Sequence, residues 1–345
     1  MTIKTLFPGR GRAGDPSEGD VRGQGQAGVG PSGTRRLGSR GTGDSRTNAR
    51  DRAERRLAVR MTAPSLILMA LVAAVPIGYA LWLSLNQYSV RTAGLSRFVG
   101  LDNYINALTG PAWWAAFGQT FLFAALSVSL ELVLGTAMAV LLNLAFKGRA
   151  LLRTVVLLPY AIVTVVSAIT WETMFQPNLG LVTNVLSALG LPGGDVVWLG
   201  EHGYAMAVIV LADVWKTTPF AALIILAGLQ VIPRETYEAA ELDGSSKWQT
   251  FVHITLPLLR PAIVLAAIFR TMDALRVFDL PFVLTRGANG TETMSMLAYT
   301  QLRENRLVGE GSALSILTFL TVMAVSIVYI RFAGGNIRDV AKGER

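Results

Sequence analysis

The sequence predicts an all-α protein with six membrane-spanning helices, on three observations. Hydrophobic residues make up 52% of the 345 positions and the mean hydropathy is +0.45, too apolar for a soluble chain of this size. Six apolar runs divide it, each of about 20 residues or more, enough for a hydrocarbon core of roughly 30 Å. Lysine and arginine gather in some connections and are missing from others, as they do in multi-pass membrane proteins.

The elements follow in order. Residues 1–56 are rich in Gly, Arg, Ser and Asp; such a segment buries too little to offset its ordering entropy and is expected to be disordered. Its end, with Arg50, Arg52, Arg55, Arg56 and Arg60, could touch anionic lipid. The net charge of +8 lives here, because residues 1–60 hold 13 Lys/Arg against 6 Asp/Glu and the remainder 18 against 17. The near-balance of the rest makes no nucleic-acid partner. The transmembrane domain is expected over 57–335, with a short tail over 336–345. Its spans read as Ala63–Leu85, Gln119–Leu144, Thr154–Met174, Tyr204–Leu229, Leu258–Leu284 and Ser312–Phe332. Pro76 and Pro159 lie inside spans, where neighbouring helices can satisfy the backbone groups they free. Trp113 and Trp114 suit an interfacial belt.

Orientation follows from the positive charges. The N-terminal tail, the loop with Lys147, Arg149 and Arg153, and the C-terminus with Arg331, Arg338, Lys342 and Arg345 are basic, whereas Gln176–Gly203 has no Lys or Arg. Both termini and the loop 231–257 are therefore expected in the cytoplasm. Arg286, Arg303 and Arg306 in the last external segment run against this count.

The loop 231–257 is polar and charged between two apolar runs. Helix formers fill Glu235–Leu242, and Gly244 stands where a left-handed residue would end that helix. Ser245 or Ser246 can cap a second short helix, expected to stop before Pro257. Charged residues also lie within spans, where each costs roughly 2.5–3.5 kcal/mol on insertion scales. Asp213 and Lys216 are one turn apart in span four, and Arg270, Asp273 and Arg276 follow at i, i+3, i+6 in span five. Glu131 sits mid-span in span two. With Trp215 and Thr217, the charges of spans four and five fall near mid-bilayer, as in a path for a polyhydroxylated solute; the same charges could instead be ion pairs fastening helices.

The absence of cysteine excludes disulfides and a thiolate metal site, and only His202 and His253 are histidines. No Gly-x-x-x-x-Gly-Lys-Ser/Thr run occurs, so no P-loop binds ATP here. No Ser-His-Asp arrangement stands out, and the chain reads as a non-enzyme with no cofactor of its own.

Glu238-Ala239-Ala240, Gly244, Ile254, Leu256 and Pro257 resemble the EAA loop of permease subunits of binding-protein-dependent ABC importers of type I. Phe98–Tyr104 resembles a pattern before span two in sugar-type permeases. Leu284–Gly287 with Gly290 and Thr291 resembles the family's Gly-rich turn after span five, though Ala288 and Asn289 interrupt it. Residues 215–220 and 269–279 look closest to the actinobacterial trehalose/maltose type. The resemblance covers about residues 60–333. It implies a coupling helix that docks on a separate ATPase subunit, which holds the ATP and magnesium. It also implies a second permease, two ATPase subunits, an extracytoplasmic sugar-binding protein, and an inner-membrane location among lipid. Sugar import by alternating access is the activity it implies; a permease for glycerol phosphate or a self-contained secondary transporter are the alternatives.

Overall fold

The computed structural model describes residues 44–89, 97–144 and 147–341. The chain divides into two units, residues 1–66 and 67–345. Helix α1 covers Asp44–Ser84 and so begins inside the stretch that composition marks as disordered; residues 1–43 lie outside the described residues. Between Ser45 and Ala63 no Gly or Pro interrupts a run rich in Ala and Arg, which favours helix locally whether or not it packs.

In the second unit the end of α1 is pinned by the Phe98–Tyr104 segment. Strands β1 (Asn86–Gln87) and β2 (Arg97–Phe98) pair antiparallel. Helix α2 (Asp102–Thr109) follows. Its buried Asn103 donates to the carbonyls of Ser84 at 2.8 Å and Asn86 at 3.1 Å, and Tyr104 Oη lies 2.6 Å from Ser84 Oγ. The motif is thus a backbone clamp, because Asn103 donates to the Ser84 carbonyl at the end of α1 and to the Asn86 carbonyl, which also accepts from Tyr88 N–H.

Helix α3 (Pro111–Asn143) starts well before the expected Gln119, with proline at its first position. Trp113 is buried among Ala116, Met294, Leu297 and Leu314, so only Trp114, which is exposed, fits an interfacial belt. Span three is broken. Helix α4 (Arg149–Ala161) and helix α5 (Thr164–Met174) meet at 89°. Pro159 removes a helical hydrogen bond, and the β-branched run from Ile162 to Val166 resists rewinding at once. Helix α6 (Leu181–Ala188) follows.

Helix α7 (His202–Val231) is the centre of the unit, buried along most of its length. It packs on α3, on α4 and on the later helices. Small residues allow the approach: a Cβ on Gly135 of α3 would lie 3.2 Å from Ala221 Cβ, and one on Gly228 would come within 2.4 Å of Ala262 Cβ. Close crossings of this kind replace the hydrophobic drive that lipid does not supply.

Helix α8 (Arg234–Leu242) leads to α9 (Lys247–Thr250), a π-turn over Phe251–Thr255, and α10 (Leu256–Ala274). The second helix therefore runs on into span five and does not stop before Pro257. The wider turn, closed by Leu256 N–H on the Phe251 carbonyl, lets the chain reach Pro257 without the usual clash. Span five ends at Ala274, short of the expected Leu284. Pro281 would collide with the carbonyl four residues back in a continuous helix, so the chain unwinds and restarts as α11 (Asp279–Thr285) with an acidic first residue. Helix α12 (Met294–Tyr299) and helix α13 (Val308–Ala341) complete the described chain. Among the described residues, five helices are long and apolar enough to cross a membrane, or six with the bent α4–α5 pair.

Candidate functional site

Arg270 of α10 is the hub of the buried charges. Its Nε and Nη2 both donate to Glu131 of α3, the latter at 2.9 Å; Nη2 also reaches Asp213 Oδ2 of α7 at 3.1 Å, and Nη1 meets Asp273 Oδ2 at 2.5 Å. Thr217 Oγ1 lies 2.7 Å from Glu131 Oε1 and 2.6 Å from the Asp213 carbonyl. The cluster grades from wall to opening: the Glu131 side chain is fully buried, that of Arg270 is 3% exposed, that of Asp213 9% and that of Asp273 64%. Three helices are joined through one guanidinium, whose planar fork can serve several carboxylates at once.

Beside this cluster opens a cavity of about 430 Å³, lined by Tyr160, Asp213, Lys216, Thr217, Arg270, Asp273, Arg276 and Phe278 among others. Six of the seven residues expected along a solute path thus surround one space. Trp215 does not line it. One residue from Lys216 along α7, it faces about 100° away, is 42% exposed and has its ring 6.0 Å from Trp171. The aromatic faces on the cavity belong to Tyr160 and Phe278. Arg276 lies beyond the end of α10, exposed, with Nε on the Met272 carbonyl at 3.1 Å.

Although Asp213 and Lys216 are one turn apart in α7, Asp213 pairs with Arg270 and not with Lys216 among the described residues. Lys216 Nζ sits 3.5 Å from the Tyr160 carbonyl and 5.6 Å from the Tyr160 ring centroid. The break after α4 frees that carbonyl, and a lysine at a helix C-terminus is a natural partner for it. Glu131 is the residue that the sequence placed in a span without joining it to the path; a lone carboxylate at that depth was the signal available.

A second, larger groove of about 660 Å³ runs along α13 past Phe319, Val322, Met323 and Ile330. Its lining is mostly apolar, so it offers few groups to a hydroxylated solute.

The loop 231–257 builds a rigid corner. Ser245 N–H bonds the Ala240 carbonyl at 3.0 Å and Gly244 N–H the Glu241 carbonyl at 3.1 Å, the paired bonds of a Schellman ending. Gly244 has φ +74°. Ser246 and Gln249 form a reciprocal capping box. Thr255 Oγ1 lies 3.5 Å from Tyr237 Oη, tying α8 back to the π-turn. Ala240 is buried and Ile254 half-buried, while Glu238, Ala239, Gly244, Leu256 and Pro257 face outward. Leu242 and Trp248 are also strongly exposed, so the corner offers a mixed acidic and apolar face.

The Gly-rich turn follows α11. Gly287 and Gly290 are left-handed, and the interrupting Asn289 adopts φ +57° as well, a conformation asparagine tolerates. Asn289 Nδ2 donates to the Leu199 carbonyl at 2.9 Å, and its own carbonyl meets His202 Nδ1 at 2.9 Å. Near the start of α12, burial pushes the Glu292 carboxyl above its usual range, with the neighbouring Glu304 adding to the shift and a Thr300 hydrogen bond opposing it.

Comparison with known proteins accords with this architecture. The chain is 42% identical over 290 residues to the trehalose transport system permease protein SugA of Mycobacterium tuberculosis, covering 84% of this chain and 92% of that one. It is 44% identical over 280 residues to the trehalose/maltose transport system permease protein MalF of Thermococcus litoralis, covering 81% and 94%. Its fold matches a chain in the crystal structure of a bacterial alginate ABC transporter in complex with an alginate pentasaccharide-bound periplasmic protein, with a TM-score of 0.71 at 22% identity over 85% of this chain and 98% of that one. This is the type I importer permease fold that the resemblance implies. With residues 131–341 matching the family's own pattern, the chain belongs to the binding-protein-dependent transport system inner membrane components.

Proposed function

We propose that this chain is one of two permease subunits that import a neutral disaccharide, trehalose first and maltose second, by alternating access. The observation that carries the reading is the cavity between α7 and α10. Its volume of about 430 Å³ falls in the roughly 300–1,000 Å³ of small-molecule sites. Carboxylate, ammonium and hydroxyl groups on its wall can replace water around sugar hydroxyls, and Tyr160 and Phe278 can meet sugar C–H faces. The permeases named above for trehalose and maltose support the same solute class.

The remaining roles follow from the same reading. The corner at Glu238, Ala239, Ala240 and Gly244, backed by Ile254, Leu256 and Pro257, acts as the coupling element on an ATPase subunit. Two such subunits carry the ATP and magnesium. An extracytoplasmic binding protein delivers the sugar, both termini face the cytoplasm, and lipid and the second permease cover the exposed apolar helices. Glycerol phosphate is the weaker solute, because carboxylates already occupy the Arg270 guanidinium.

Reconstitution with its partner subunits in proteoliposomes tests the proposal. ATP-dependent uptake of labelled trehalose or maltose is expected. Uptake that persists without ATP, or that carries glycerol phosphate in preference to both sugars, overturns it.

A further inference from the structure

We propose that Glu131, which does not line the cavity, sets its charge selectivity: it holds Arg270 from behind and makes the site reject anionic saccharides. This rests on the cavity between α7 and α10 being the solute site. Six charged side chains line that cavity, Asp213, Asp273 and Asp279 against Lys216, Arg270 and Arg276, and their formal charges cancel. Glu131 lies outside the lining, fully buried behind Arg270, and supplies one surplus negative charge. It also takes the Nε and Nη2 donors of the guanidinium, the edge that would otherwise bind a carboxylate, sulfonate or phosphate bidentately. The remaining Nη1 is committed to Asp273. Arg270 is therefore a cation with no edge to offer, set in a field tipped negative.

The consequence is a division of labour. Asp273, Lys216 and Tyr160 present groups that neutral hydroxyls can use, whereas Glu131 acts from behind the wall, through Arg270, through the Thr217 hydroxyl that donates to it at 2.7 Å, and through the field it leaves in the cavity. A unit charge a few ångströms behind a partly desolvated wall changes the binding of an opposite or like charge by about tenfold. Replacing Glu131 by the isosteric glutamine keeps an acceptor for the guanidinium and removes the charge.

The test is binding to the assembled transporter in detergent, without its extracytoplasmic binding protein, so that only the membrane site discriminates. Saturation-transfer NMR titrations compare a neutral α-linked disaccharide with the same disaccharide oxidised to its uronate. The wild type is expected to favour the neutral sugar by at least about tenfold, and Glu131→Gln to narrow that ratio by about tenfold. A merely structural role lowers both affinities together and leaves the ratio unmoved. If Glu131→Gln does not assemble, Glu131→Asp, whose shorter side chain withdraws from the Nε and Nη2 edge of Arg270 without touching the cavity lining, decides by the same ratio, which is expected to narrow. An unchanged ratio in the variants, or a wild type that binds the uronate as well as the neutral sugar, overturns the selectivity role alone. A wild type that binds neither sugar removes the cavity as the solute site and this role with it.

Discussion

Arg270 and Glu131, 139 positions apart in sequence, face each other so that two guanidinium nitrogens address one carboxylate. Asp213 and Asp273 attach to the remaining donors, so one cation holds α3, α7 and α10 together. Breaking a buried pair by removing one partner costs more than the pair contributes, because the other partner stays buried and unpaired. Arg270→Met is therefore expected to destabilise the permease by about 3–5 kcal/mol, read as loss of the monodisperse peak in fluorescence-detected size exclusion. Adding Glu131→Gln to it should restore part of that loss, since the orphaned charge is gone. A double variant that is no better than Arg270→Met would mean that packing, not charge, is what Arg270 supplies.

The corner at Gly244, proposed above as the coupling element, gives a second prediction. Nothing stands within 4 Å of a Cβ added at Gly244, and its φ is +74°, so a side chain there meets backbone strain and no clash. Gly244→Val is expected to cost roughly 1–2 kcal/mol locally and to uncouple solute-stimulated ATP hydrolysis while the protein still reaches the membrane. Glu238→Lys, on the exposed face, should do the same less severely. Normal stimulation in both variants would remove the corner from coupling.

Glu292 gives a prediction in pH. Burial raises its folded pKa above the unfolded one, so between the two values the folded state holds more protons. Stability then falls as pH rises through that window, and the cost is fully present above the folded value. Glu292→Gln is expected to raise the melting temperature slightly at neutral pH, with the two curves converging as pH drops below the carboxylate range. A variant that melts lower than wild type at neutral pH would show that the Thr300 hydrogen bond outweighs burial.

Hydropathy alone located the apolar helices, because a hydrocarbon slab imposes length and composition on any element that crosses it. It missed where helices break. Pro159 and Pro281 are visible in the sequence, but whether a proline kinks a span or splits it depends on what meets the freed carbonyls. Here Lys216 meets that of Tyr160, a long-range contact no local pattern encodes. The same limit explains the charges. Spacing along α7 sets Lys216 one turn from Asp213, yet Arg270 from another helix takes the aspartate. The corner at Gly244 was legible down to its left-handed residue because a Schellman ending is a purely local solution.

The last prediction concerns transport itself. Lys216 is buried, bears on the Tyr160 carbonyl and ring, and makes no ion pair with Asp213 among the described residues. Asp273 is the most exposed carboxylate of the Arg270 cluster and uses one oxygen on Arg270. One therefore offers donors to the cavity and the other an acceptor. Neither is needed to close the Glu131–Arg270–Asp213 core. Lys216→Met and Asp273→Asn are expected to leave the complex assembled while lowering disaccharide uptake by about ten- to a hundredfold, the equivalent of a charged hydrogen bond of ~1.5–3 kcal/mol. Affinity of the external binding protein for the sugar should not change, because that protein acts before the permease. Size exclusion, sugar binding to the isolated binding protein and uptake into proteoliposomes separate the cases. Failure to assemble would make both residues helix fasteners. Assembly with normal uptake would move the solute contacts to the partner permease.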